Sequence, residues 1–324
     1  MDNDIKQEEF TEVVKESVTT EVKEPLSEET GVQPRKKVRV GMVFLSIVPV
    51  AILIAIQTIT QVPFFGLAAV DVYKDGNYQD PESAIEATQK LLEVFVEKYA
   101  LYAYMLYAII GILVFCIWYV KGFVKKKPKV RFSQVFGVKS VVASIGIVLG
   151  LNFTITSGFI IVNQLLPEVM EKYAQLMNNA GLGSNLLITV IYAIFLGPVL
   201  EELCLRGVTY GYLERSGIKP IFIILISGVL FGAMHLNLVQ GIYASVLGFF
   251  LGYLRYKYRS ISLTIFAHIL FNIMGTYGDI GLDLLGVTEA MMLIFGGVSL
   301  FILVFSVVLI NNDKKAVSSS GRNP

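Results

Sequence analysis

Three short clusters in this 324-residue chain combine residue types able to hydrolyse a covalent bond. The first is Glu201-Glu202-Leu203-Cys204-Leu205-Arg206, two carboxylates and a guanidinium within six positions. The second is Phe231-Gly232-Ala233-Met234-His235, and the third is His268-Ile269-Leu270-Phe271-Asn272. His235 and His268 are the only two histidines of the chain. All three clusters lie in otherwise apolar stretches. A charge at mid-membrane costs roughly 2.5–3.5 kcal/mol on insertion scales, so such residues need a partner or a purpose.

Helical geometry sorts them. Glu202 and Arg206 are four apart, share a face and can pair. Glu201 points about 100° away from Glu202 and is left as the free carboxylate. His268 and Asn272 share a face, as do Gly228, Gly232 and His235. A free carboxylate shielded from water is a candidate general base. Zinc is the rival chemistry. Glu201, His235 and His268 supply a glutamate and two histidines, a set that holds Zn²⁺ with one water position open. The chain lacks the His-Glu-x-x-His spacing that puts two histidines on one helix face, so no metal is assured.

The elements that carry these residues are membrane helices. The chain is 54% hydrophobic and 16% charged, with a mean hydropathy of +0.64. Residues 1–39 hold ten acids and seven bases, which leaves 36 charges for the other 285 residues. The net charge of +1 carries no electrostatic footprint for nucleic acid. Cys116 and Cys204 sit in apolar stretches, read as small core residues, and imply no disulfide.

Eight apolar spans are expected, near 40–62, 100–120, 140–165, 185–205, 220–237, 238–254, 260–276 and 291–310. The fold class is thus all-α, a polytopic membrane helix bundle. Basic residues alternate between successive loops. Arg35, Lys36, Lys37 and Arg39 precede the first span; Lys121, Lys125, Lys126, Lys127, Lys129, Arg131 and Lys139 follow the second. Arg215 with Lys219, then Arg255, Lys257 and Arg259, then Lys314, Lys315 and Arg322 continue the pattern. This places both termini in the cytoplasm, and membrane lipids are the surrounding partner. Tyr210 and Tyr212 fit an interfacial aromatic belt.

Four regions result. Residues 1–38 form a disordered acidic cytoplasmic tail, and 39–139 the first two spans with an outer helical loop and a basic inner loop. Residues 140–312 form the main membrane domain, with its motif core at 185–275, and 313–324 a cytoplasmic tail. In the outer loops, Asp80 caps a helix opened by Pro81 that leads directly into the second span, and Pro167 opens another that ends before Gly181. Glycine pairs at four-residue spacing (Gly207 with Gly211, Gly228 with Gly232, Gly248 with Gly252) call for close helix approach.

The three clusters resemble the motifs of the CPBP (Abi, or CAAX-protease and bacteriocin-processing) intramembrane proteases, which include the type II CAAX prenyl endopeptidases. The pattern is Glu-Glu-x-x-x-Arg, Phe-x-x-x-His and His-x-x-x-Asn, carried here by Glu201, Glu202 and Arg206, by Phe231 and His235, and by His268 and Asn272. The resemblance implies that Glu201 and His235 activate a water, that His268 and Asn272 form an oxyanion site, and that Glu202 and Arg206 support them. It implies an endopeptidase of a membrane-embedded or lipidated protein or peptide; the compact, loop-poor layout without an organelle signal fits a bacterial plasma membrane. Two other readings stand beside it. One is a non-catalytic immunity or signalling-scaffold protein of the same fold; the other is a proton-coupled transporter, which predicts two related halves that are not seen.

Overall fold

The structure is a computed structural model in which residues 37–75, 81–124, 132–180, 187–314 and 316 are described. The acidic tail before Lys37, Asp80, the basic run 125–131, Gly181 and the C-terminal Lys315 and Arg322 lie outside the described residues. From Val38 onward the chain forms one compact unit.

The chain is a polytopic helical membrane bundle, with no strand among the described residues. A short α1 (Val40–Leu45) leads into α2 (Val48–Asp75). Pro81 opens α3 (Pro81–Val94), which passes through a π-turn at Phe95–Tyr99 into α4 (Ala100–Tyr119), a direct run from outer loop to span. After α5 (Phe132–Val135) come α6 (Val138–Leu165) and α7 (Pro167–Asn179), with Pro167 at its first turn. A helical run over 187–216 follows, alternating registers: a π segment Ile188–Leu196, α8 (Gly197–Glu202), a π segment Leu203–Thr209 and α9 (Tyr210–Ser216). The chain ends in α10 (Pro220–Ala233), α11 (Leu238–Tyr258), α12 (Ile261–Leu284) and α13 (Glu289–Asn311).

Among the described residues, six helices are long and apolar enough to cross a membrane: Val40–Lys74, Ser83–Val124, Val138–Leu165, Leu238–Tyr258, Ile261–Gly278 and Glu289–Asn311. Two of the eight expected spans are not among them. The fourth carries Glu201, Glu202 and Arg206 in the middle of its run. The fifth, expected over 220–237, stops at Ala233 after 14 residues. It is about 21 Å long, short of a hydrocarbon core of about 30 Å.

The core gathers around the run 197–216. All seven residues of Leu203–Thr209 are buried, so this segment is the bundle's central helix and its charges cannot reach solvent. The outward surface is apolar instead, with Ile109, Leu113, Ile117, Phe301 and Val304 exposed where lipid would cover them. Helices meet through small residues, as expected in lipid. A Cβ at Gly248 would lie 2.8 Å from the Gly228 Cα, so α10 and α11 touch backbone to backbone. Across α6 and α13, Thr154 Oγ1 and Ser299 Oγ are 2.7 Å apart and Ser157 Oγ donates to the Met292 carbonyl at 2.6 Å.

Bonds at each end tie the helix tips. At one, Lys139 Nζ donates to the Asn312 carbonyl, Tyr258 to Asp313, Arg215 to the Gly122 carbonyl and the Arg39 amide to the Ser216 carbonyl. At the other, Asp71 accepts from Tyr99 at 2.9 Å and Lys98 at 3.2 Å.

Three expectations are corrected. Arg255 is not a loop charge: it is 2% exposed, donates from Nε to the Arg206 carbonyl and lies over the Tyr210 ring. Tyr210 is therefore part of the core, not of an aromatic belt, and Tyr212 packs edge-on to Trp118 and Phe123. Cys116 faces outward, while Cys204 is in the core. Both corrections to the belt and to Arg255 have one cause: side chains near a helix end turn inward when a neighbouring helix offers a carbonyl or a ring.

Candidate active site

Glu202 and Arg206 form the expected i, i+4 pair, at 2.9 Å with both side chains fully buried. Arg206 also donates from Nη2 to the Gly248 carbonyl at 2.9 Å and stacks its guanidinium on the Phe231 ring at 4.6 Å. One helix turn thereby fastens α11 and α10 to the motif helix. Breaking a buried pair of this kind leaves a bare charge and costs several kcal/mol.

Glu201, on the neighbouring face, has an 18% exposed side chain and looks into a cavity of about 1050 Å³. His268, on α12, sits between the two glutamates. Its Nδ1 bonds Glu202 Oε1 at 3.2 Å, and its Nε2 lies 3.6 Å from Glu201 Oε2. Since a carboxylate accepts, Nδ1 carries the hydrogen and Nε2 is turned to Glu201 and the cavity. The sequence left Glu201 without a local partner; the partner comes from a helix 67 positions later in the chain.

His235 lies past the last turn of α10, in a tight loop where Leu236 takes φ +53°. Few non-glycine residues adopt that conformation. The loop closes on Asn237, whose Oδ1 accepts the Gln240 amide and caps α11. His235 Nδ1 bonds the Phe231 carbonyl at 2.8 Å. A carbonyl only accepts, so Nδ1 bears the hydrogen and Nε2 of the neutral ring is left with its lone pair. The Phe231 ring stands edge to face with both imidazoles, 5.2 Å from His235 and 5.3 Å from His268. It spaces the two histidines, a role larger than lining.

Asn272, one turn beyond His268, donates from Nδ2 to the Ala193 carbonyl at 2.7 Å. Glu201, His235, His268 and Asn272 all line the one cavity. Asn152, an amide within the apolar α6, lines it too and was passed over in the sequence, although an amide in mid-span is itself a signal. Helix α7 covers part of the cavity. It is tied by the Tyr173 and Tyr243 hydroxyls at 3.1 Å and by Tyr104, which donates to the Ala180 carbonyl.

Among the described residues, no three His, Cys, Asp or Glu side chains form a group that could hold a metal ion.

A family model described as type II CAAX prenyl endopeptidase Rce1-like matches residues 183–274. A Bacillus subtilis (strain 168) protein named "Putative membrane peptidase YdiL" is 33% identical over 84 residues. That alignment covers 26% of this chain and 34% of the relative, so the chain spans about a third of the curated relative it matches. No solved structure matches. The matched segment holds Glu201, Glu202, Arg206, His235, His268 and Asn272, so the likeness to the Rce1-like family rests on the stretch that carries all three clusters.

Proposed function

We propose that this protein is an intramembrane endopeptidase that cuts a peptide bond of a membrane-associated protein or peptide precursor. The observation that carries the reading is the division of labour between adjacent glutamates. Glu202 is spent on Arg206 and His268, while Glu201 faces the cavity with His235 and Asn272. A merely structural pair has no need of the second carboxylate.

In this mechanism a water between Glu201 and His235 Nε2 loses its proton to them and attacks the peptide carbonyl. The oxyanion of the tetrahedral intermediate receives hydrogen bonds from the free Asn272 Nδ2 hydrogen and from His268 Nε2 once that nitrogen also carries a proton. Glu201 returns the proton to the departing amine. Glu202 and Arg206 hold His268 in place. The substrate is a membrane-embedded or lipidated chain, which enters the cavity from the bilayer, and the basic helix ends face the cytoplasm.

The test is incubation of the detergent-purified protein with membrane-anchored and lipidated peptides, read by mass spectrometry, beside Glu201→Gln and His235→Ala, with and without a chelator. Cleavage by the native protein that is lost in both variants and indifferent to chelator supports the reading. Cleavage abolished by chelator overturns the metal-free step. A chain that cuts nothing, whose Glu201→Gln variant also keeps the cellular phenotype, is an immunity or scaffold protein instead.

A further inference from the structure

The π segment that precedes the glutamates ends at Leu196, two residues before a proline, and the consequence reaches Asn272. In this segment each amide bonds the carbonyl five residues earlier, and the Gly197 amide does so with Tyr192. Continued by one residue, the register needs an N–H at position 198 for the Ala193 carbonyl. Position 198 is proline, which has no N–H. The Ala193 carbonyl is thereby released from the helix, and its donor is Asn272 Nδ2 at 2.7 Å. Both Ala193 and Asn272 line the cavity.

We propose that Pro198 is a positioning residue for Asn272: by withholding a backbone donor it opens the one carbonyl that orients the catalytic amide. A carbonyl oxygen only accepts, so it fixes which end of the Asn272 amide turns to Ala193. One Nδ2 hydrogen is held there, and the second is fixed in direction by the planar amide. A donor fixed before reaction needs no reorganisation when charge develops. One residue thus serves two helices: the proline that starts α8 three residues before Glu201 also sets Asn272, on α12, in register with it.

This inference takes the role of Asn272 from the proposed protease reading, but its decisive test does not need activity. Asn272→Ala strands a half-buried carbonyl, and an unmet polar group of this kind destabilises. Pro198→Ala supplies an N–H that can take the same carbonyl. In detergent, Asn272→Ala lowers the melting temperature by about 3–6 °C, and adding Pro198→Ala to it recovers at least half of that loss. Pro198→Ala in the native background recovers nothing. Pro198→Gly, which also restores an N–H, repeats the cycle if the alanine variant expresses poorly. A proline that only bends the helix gives additive losses in both backgrounds, and that result overturns the proposal.

Where the native protein cleaves a peptide, Pro198→Ala lowers kcat about tenfold to a hundredfold with KM held within about twofold. The fall shrinks to nothing in the Asn272→Ala background. An unchanged kcat also overturns the proposal. Absence of any cleavage by the native protein counts against the protease reading alone, since the melting cycle still decides the link between Pro198 and Asn272.

Discussion

Adjacent glutamates with the same chemistry have opposite surroundings, and variants should separate them. Glu202→Gln leaves Arg206 buried without its counter-ion. It should cost about 3–5 kcal/mol in unfolding free energy, measured by denaturant titration in mixed micelles. Glu201→Gln removes no hydrogen bond, because His268 Nε2 stands 3.6 Å away and the side chain reaches the cavity. Its melting temperature should stay within about 2 °C of native, while cleavage falls at least about a hundredfold. Phe231→Leu should act on both histidines at once. It removes the ring between them and the face under Arg206, so activity and stability should fall together.

The element that presents His235 is a hairpin of α10 and α11, closed by glycines and not by large side chains. A Cβ at Gly248 would meet the Gly228 Cα, and backbone cannot step aside as a flexible side chain does. Gly248→Val should therefore destabilise by about 1–3 kcal/mol, read by the same titration, and displace His235 with the hairpin. Helix α7 behaves differently. Its ties to the rest are two tyrosine bonds and aromatic contacts. Tyr173→Phe should raise amide hydrogen exchange over 167–179 and leave the α6–α13 pair protected, since that pair rests on its own serine and threonine bonds. Uniform exchange across both elements would refute the separation.

The whole molecule has a polar plan visible in its ends. Lys139, Arg215, Tyr258 and Arg39 bind carbonyls or carboxylates at one end, and Lys98 and Tyr99 hold Asp71 at the other. Single cysteines placed at 219 and 314 in a background lacking Cys116 and Cys204 should resist a membrane-impermeant maleimide in intact cells, while one at 172 should react. Labelling of 219 and 314 from outside would invert the topology. The cavity that Glu201 faces belongs to this scale as well, since its lining comes from helices spread over the chain from Gln57 to Met292.

Local rules made some features legible. The four-residue spacing of Glu202 and Arg206 determines their pairing whatever surrounds the helix. Pro81 and Pro167 determine helix starts because their missing N–H costs nothing in a first turn. The glycine spacing in α10 and α11 foretold contact, and apolar length foretold the helical membrane bundle. Other features needed the third dimension. The partner of Glu201 is His268, and the partner of Asn272 is the Ala193 carbonyl, neither readable from spacing within one helix. The inward turn of Arg255 and the outward face of Cys116 escaped for the same reason. So did the shortness of α10, whose apolar sequence runs on past Ala233 while its backbone turns at Leu236. Sequence determines what each residue can do and which neighbours it meets within a turn or two of helix. The fold decides which orphaned donor finds which orphaned acceptor, because a buried polar group must be satisfied by whatever helix packing brings within about 3 Å.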